Sequence, residues 1–197
     1  MKKSFLKNKK GFTLAEMLVV MFIFSILSVG LANIFVKYLQ GERSSFAKQK
    51  IVSDLRYSLE MMSREVRLNE VDYRSTGYYS GFISSPTSEL ALVDSEGTQI
   101  LFALSGSDCT NNDNCYLYVR KSGTNYRITP DDIAVRNLEF YITPSQDPFT
   151  LQSDGTFLSD DQPRVLISIT QDYIGDGADS VEELTMQTMA SSKIYIR

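Results

Sequence analysis

The stretch that decides the reading is FTLAEMLVVMFIFSILSVGLANIFV, Phe12–Val36, 25 residues with a single charge. About 20 apolar residues suffice to cross the hydrocarbon core of a bilayer as a helix. The residues before it, MKKSFLKNKKG, hold five lysines and no acid. A basic flank of this kind stays on the cytoplasmic side, so everything after Val36 is expected outside the cytoplasm. A cleaved secretory signal fits poorly. Its apolar region is about 7–15 residues long and ends at an A-x-A site, which is missing here.

A plain membrane anchor accounts for the length but not for Glu16. A carboxylate inside a membrane segment costs a few kcal/mol and marks function by default. No basic residue follows it within one helical turn, and the nearest lysines lie upstream of Gly11. The partner cation is therefore expected from across the membrane boundary or from another chain.

Lys9-Lys10-Gly11-Phe12-Thr13-Leu14-Ala15-Glu16-Met17-Leu18-Val19-Val20 resembles the processing motif of type IV prepilins and pseudopilins. The resemblance implies cleavage by a prepilin peptidase after Gly11 and N-methylation of the new terminal residue, Phe12. It also implies pairing of Glu16 with the terminal amine of a neighbouring subunit. The implied partners are that peptidase, other pilin or pseudopilin subunits and an inner-membrane assembly platform. Removing the lysines and exposing an amine would leave one buried cation and one buried anion about a helical turn apart. Each charge then offsets the desolvation of the other on an adjacent helix. Major pilins of the family often carry a proline at the position of Asn33, and its absence leaves no imposed kink there. This favours a minor pilin or a pseudopilin. Leu59–Arg67 and Glu183–Met189 resemble the W-type minor pilins and J-type pseudopilins.

Composition supports a non-enzymatic role. The chain has 197 residues, 43% hydrophobic and 22% charged, and no histidine. That excludes Ser-His-Asp and Cys-His nucleophilic arrangements and any His-ligated zinc. Beyond residue 11 there remain 15 basic residues against 24 acidic, a formal charge of −9. Such a body offers no electrostatic route to nucleic acid. No cofactor or metal is expected. Cys109 and Cys115 enclose a short polar loop and are too few for a structural zinc site. They are free thiols in the cytosol and a disulfide if exported; the topology above predicts export and hence the disulfide.

Past the apolar run, Ile51, Leu55, Leu59, Met62 and Val66 form one stripe at helical spacing. Lys48, Lys50, Asp54, Arg56, Arg64 and Arg67 lie on the other face. One helix is predicted from about Phe12 to near Asn69, with Gly41 as a point of bending and a boundary near Tyr73–Gly77. Alternating residues then predict strands. A hairpin is expected about Ser95-Glu-Gly97 and a second about Lys121–Asn125. Further strands are expected at Leu138–Ile142, Val165–Ile169, Leu184–Met189 and Ile194–Ile196. The stretch from Pro144 to Pro163 is long for a structureless loop, so it is either exposed and functional or partly ordered around Thr156-Phe-Leu158. Asp172, Asp176 and Asp179 fall in an Asp-Gly turn. Calcium favours such ligands, but the spacing is not that of an EF-hand, and a solvated turn is the preferred reading. Tyr78, Tyr79 and Phe82 read as an adhesive patch or, preferentially, as packing against the sheet.

The expected fold is α+β and pilin-like, a long N-terminal helix on an antiparallel β-sheet domain. The segments are a basic leader (1–11), a transmembrane and filament-core helix (12–36), an amphipathic continuation (37–75) and a β-rich globular domain (76–197). The expected function is a structural subunit, made in the inner membrane with its globular domain outside the cytoplasm. It then joins a cell-surface pilus or a periplasmic pseudopilus. The alternative is a membrane-anchored or pilus-tip adhesin.

Overall fold

The computed structural model describes residues 11–75, 82–110, 115–175 and 183–192. The chain divides into two compact units, Met1–Arg43 and Ser44–Arg197. A single helix, α1 (Leu14–Leu68), contributes to both. No proline precedes Pro86, so nothing interrupts the ladder of backbone bonds over these 55 residues. The helix runs through Gly30, Asn33 and Gly41.

In the first unit every described residue from Gly11 to Arg43 is exposed. Phe12, Leu14, Phe22, Phe24 and Leu31 each present most of their surface. A helix that is apolar all round is stable only when something apolar surrounds it. Among the described residues α1 is the helix long and apolar enough to cross a membrane. Ser25, a polar residue within the run, donates its hydroxyl to the Met21 carbonyl at 2.8 Å. That bond satisfies the group within its own helix.

In the second unit the predicted stripe is the buried face of α1: Ile51, Leu55, Leu59, Met62 and Val66, extended by Ala47. The unit's eight strands are β1 (Glu70–Val71), β2 (Leu90–Val93), β3 (Gln99–Leu104), β4 (Leu117–Lys121), β5 (Thr124–Arg127), β6 (Ile133–Thr143), β7 (Arg164–Tyr173) and β8 (Leu184–Ser191), and the stripe shares one core with residues of both their sheets. All pairings are antiparallel. The architecture is the expected α+β arrangement of a long helix on antiparallel strands, pilin-like in form.

The strands make two sheets, ordered β1-β2-β3-β4-β5 and β6-β7-β8. The division falls after β5, whose residues are all exposed. There Thr129 turns inward to accept the Leu117 amide on its hydroxyl at 3.2 Å, and Pro130, without an N–H, cannot extend the ladder. The sheets remain stitched by Val135 N–H to Cys115 C=O (3.0 Å) and by reciprocal bonds between Thr87 and Phe140. One apolar core holds the helix stripe together with residues from both sheets, including Leu92, Phe102, Leu117, Phe140 and Ile167.

Local chemistry explains the turns. Asp94 accepts the amides of Thr98 (2.8 Å) and Glu96 (2.9 Å) in the β2–β3 turn. These bonds, that of Thr98 foremost, hold its carboxyl below the usual range. The β4–β5 turn is tighter than expected, with Ser122 at φ 53° and Gly123 at φ 79°. Positive φ at both central residues gives the two-residue turn that matches strand twist. The helix ends at Leu68, several residues before Tyr73. Asn69 closes it, its side-chain amide donating to the Glu65 carbonyl at 2.9 Å, and β1 begins at once. The helix end predicted near Asn69 is met, while the amphipathic segment drawn to 75 is helical only as far as Leu68.

The Pro144–Pro163 stretch is ordered around the expected residues as a small hairpin. Gln152 N–H bonds to Thr156 C=O (2.8 Å) and Leu158 N–H to Thr150 C=O (3.1 Å). Phe149 and Phe157 meet edge to face at 6.5 Å. The strand expected at Ile194–Ile196 lies outside the described residues.

Candidate assembly site at the start of the helix

Gly11 and Phe12 precede α1 in exposed chain without regular structure, and Thr13 is the residue before its first turn. The first four N–H groups of any helix lack intrahelical partners. Here the Thr13 amide donates to Glu16 Oε2 at 3.1 Å, and the Thr13 hydroxyl donates to the same oxygen at 3.3 Å. In return the Glu16 amide donates to Thr13 Oγ1 at 3.3 Å. Thr13-Leu-Ala-Glu16 is therefore a capping box, with each side chain satisfying the other's backbone. A carboxylate in a helix's first turn also faces the positive end of the helix dipole.

This geometry changes the account of Glu16. The sequence reading treated it as a carboxylate with no local partner. The missed signal was the Thr-x-x-Glu spacing itself, a recognised helix start. All the donors found on Glu16 fall on Oε2. Among the described residues Oε1 has no hydrogen-bond partner, and Glu16 is exposed. The local structure orients the carboxylate and leaves one oxygen for a cation.

Gly11 is not required by the fold. A Cβ built there meets nothing within 4 Å, and its φ is not left-handed.

The other residues singled out by sequence are distributed as follows. Cys109 and Cys115 are both buried and joined as a disulfide, with Cα atoms 5.6 Å apart. They close the β3–β4 connection. Asp172 is held by Arg136 Nη2 at 2.6 Å, with Glu183 3.8 Å from the same guanidinium. Asp176 and Asp179 lie outside the described residues, as do Tyr78 and Tyr79. Among the described residues no cluster of potential metal-ligating side chains occurs. Phe82 is 55% exposed, which corrects the expectation that it packs under the sheet. Its backbone pairs with Gln146, a position that leaves its ring outside the core.

A polar clasp along the flank of α1 was not foreseen. Lys50 and Asp132 form an ion pair, and Lys50 also lies 5.9 Å from the Tyr173 ring centre. Asp54 accepts from Gln171 Nε2 at 2.7 Å. Burial raises the Asp54 carboxyl above its usual value, opposed by that bond and by Lys50. Near the helix end, Ser192 donates to the Asn69 carbonyl at 2.9 Å. These contacts set the register of the helix on the sheets.

A family model described as the prokaryotic N-terminal methylation motif matches residues 6–32. The match covers the whole capping box and most of the apolar run, and it supports the resemblance of this N-terminal segment to type IV prepilins and pseudopilins. That family is structural rather than enzymatic. With the apolar helix, the motif fits a membrane-anchored pilin. No curated protein and no solved structure matches the chain.

Proposed function

We propose that this chain is a filament subunit, cut after Gly11, N-methylated on Phe12 and assembled through the apolar first half of α1. The observation that carries the reading is the Glu16 carboxylate, pinned by Thr13 on one oxygen and open on the other. Cutting after Gly11 would remove the five lysines and create an amine one helical turn from Glu16. Within a fibre, Glu16 of one subunit then takes the terminal amine of a neighbour. The pair offsets the desolvation of both charges, and breaking it by removing one partner strands a buried charge at a cost of about 3–5 kcal/mol. The glycine that the fold does not need is explained by the peptidase that reads it. The apolar girdle of residues 12–36 serves first as the membrane anchor and then as the fibre's core. We favour a minor component, on the absence of proline at Asn33. The peptidase, sister subunits and an inner-membrane platform are its partners, and the globular unit lies outside the cytoplasm.

The test is Glu16→Gln in cells carrying the assembly machinery. Glutamine keeps the size and a capping oxygen but loses the charge. The variant should remain in the membrane fraction and fall at least roughly tenfold in sheared fibres, as loss of a buried charge pair implies. Wild-type incorporation would contradict the reading.

A further inference from the structure

Two surfaces of the 44–197 unit are complementary and do not serve its core. The first is the Pro144–Pro163 hairpin, which carries Asp147, Asp154, Asp160 and Asp161 and no lysine or arginine. It is held by its own bonds, including Asp154 accepting the Thr156 hydroxyl (2.7 Å) and amide (2.9 Å). These bonds lower the Asp154 carboxyl and keep it ionised. Yet the hairpin presents Leu151 and Leu158 to solvent, 65% and 42% exposed. Leu158 and Phe82 together line an open depression beside Tyr73 and Arg74. An ordered protrusion with exposed leucines flanking its turn and acids around them can set an apolar contact within a charged rim.

The second surface is the outward face of α1. Lys48, Val52 and Arg56 follow one another at intervals of four, a single row along the helix. With Gln49 and Ser53 they line a shallow groove of about 400 Å³. An apolar centre between two cations is the inverse of the hairpin. The segregation extends over the sequence: residues 37–68 hold seven basic and four acidic residues, and residues 69–197 hold eight and 19.

The two surfaces do not meet within one molecule. The hairpin is tied to the chain just past α1 through Tyr73 Oη to Pro144 C=O (3.0 Å), and through the Gln162 side chain to C=O of Ser192, whose hydroxyl bonds Asn69 at the helix end. The groove lies 12–20 residues before Leu68, about 18–30 Å back along the axis at 1.5 Å per residue. Two unlike, complementary patches at different levels make a head-to-tail contact, the kind that propagates without closing.

We infer that the acidic hairpin of one copy docks on the Lys48–Val52–Arg56 row of a second copy of this chain, displaced along the fibre. The inference rests on the filament reading above and deepens it. The displacement is several times the roughly 6 Å that four residues span along a helix. The hairpin therefore reaches a different neighbour from the one whose amine meets Glu16. It requires that more than one copy enters the same fibre.

A photo-crosslinking amino acid at Leu158 of the full chain, produced with its assembly machinery, tests this in sheared fibres. The expected adduct has twice the subunit mass and maps to the peptide around residues 44–60. An adduct with another polypeptide, an adduct elsewhere on this chain, or no adduct in fibres that contain the chain would each overturn the docking and leave the filament reading standing. Failure of the unsubstituted chain to enter fibres at all would overturn both. Charge exchange supplies a second arm. Asp160→Lys with Asp161→Lys should deplete the chain from fibres at least roughly tenfold, since like charges across a contact are strongly disfavoured. Adding Lys48→Glu and Arg56→Glu should restore it; no restoration would count against this pairing.

Discussion

Asp54 shows how much a single side chain at the helix flank decides. Burial raises its carboxyl above the 3.8 of a free aspartate, so the folded form holds its proton to higher pH than the unfolded chain does. Between 3.8 and the raised folded value the native state binds more protons, and stability falls as pH rises through that window. Its neighbour Gln171 is fully buried with Oε1 lacking a hydrogen-bond partner, while Nε2 serves Asp54. Asp54→Asn removes the half-buried charge and offers Oε1 a donor. The variant should be more stable at pH 7 by on the order of 1 kcal/mol. Thermal unfolding in detergent should show the gain shrinking towards zero near pH 3; an unchanged or lowered midpoint at pH 7 would refute the assignment. The Glu16 contact belongs to the same scale. Its oddity was visible in the sequence because it is the one charge in a 25-residue, mostly apolar run. Its bond to Thr13 was readable too, but only by attending to the helix start as well as to the membrane. Asp54 and Lys50 were read simply as polar-face residues, because periodicity separates faces but cannot say which flank a sheet will cover.

Helix α1 and the hairpins were the most legible elements. Ile51, Leu55, Leu59, Met62 and Val66 recur at the period that one buried face demands, and all are buried. Leu55→Ala should therefore cost about 2–5 kcal/mol by leaving a cavity beneath the helix. Gln49→Ala, on the outward face, should stay within about 0.5 kcal/mol. Parallel denaturation curves separate the two, and equal effects would mean the helix is seated on a different face. The strand pairs about Gly97 and Gly123 were legible because turn residues and alternation coincide. The split into two sheets was not. It depends on Thr129 turning in beneath Leu117 and on which edges meet, long-range choices that leave no local period. Phe82 was misread for the same reason, since a lone aromatic near a strand carries no direction without its partner.

At the scale of the whole molecule, the two units carry different obligations. The first is a helix whose apolar residues are exposed all round and which needs lipid or other helices to cover it. The second has its own core, a buried disulfide and a charged exterior. The methylation motif at residues 6–32 fits a membrane-anchored pilin, whose helix lipid would cover. The charge segregation of the second unit underlies the contact between copies inferred above. Both proposals depend on a single proposed covalent event, a cut after Gly11 that would turn a basic leader into a free amine beside Glu16. Mass determination of the N-terminal peptide from sheared fibres tests that event directly. The account predicts a chain beginning at Phe12 with a methylated amine, and a longer uncut product when Gly11 is replaced by a bulky residue. A fibre-borne chain still beginning at Met1, or normal cleavage of the Gly11 variant, would contradict it.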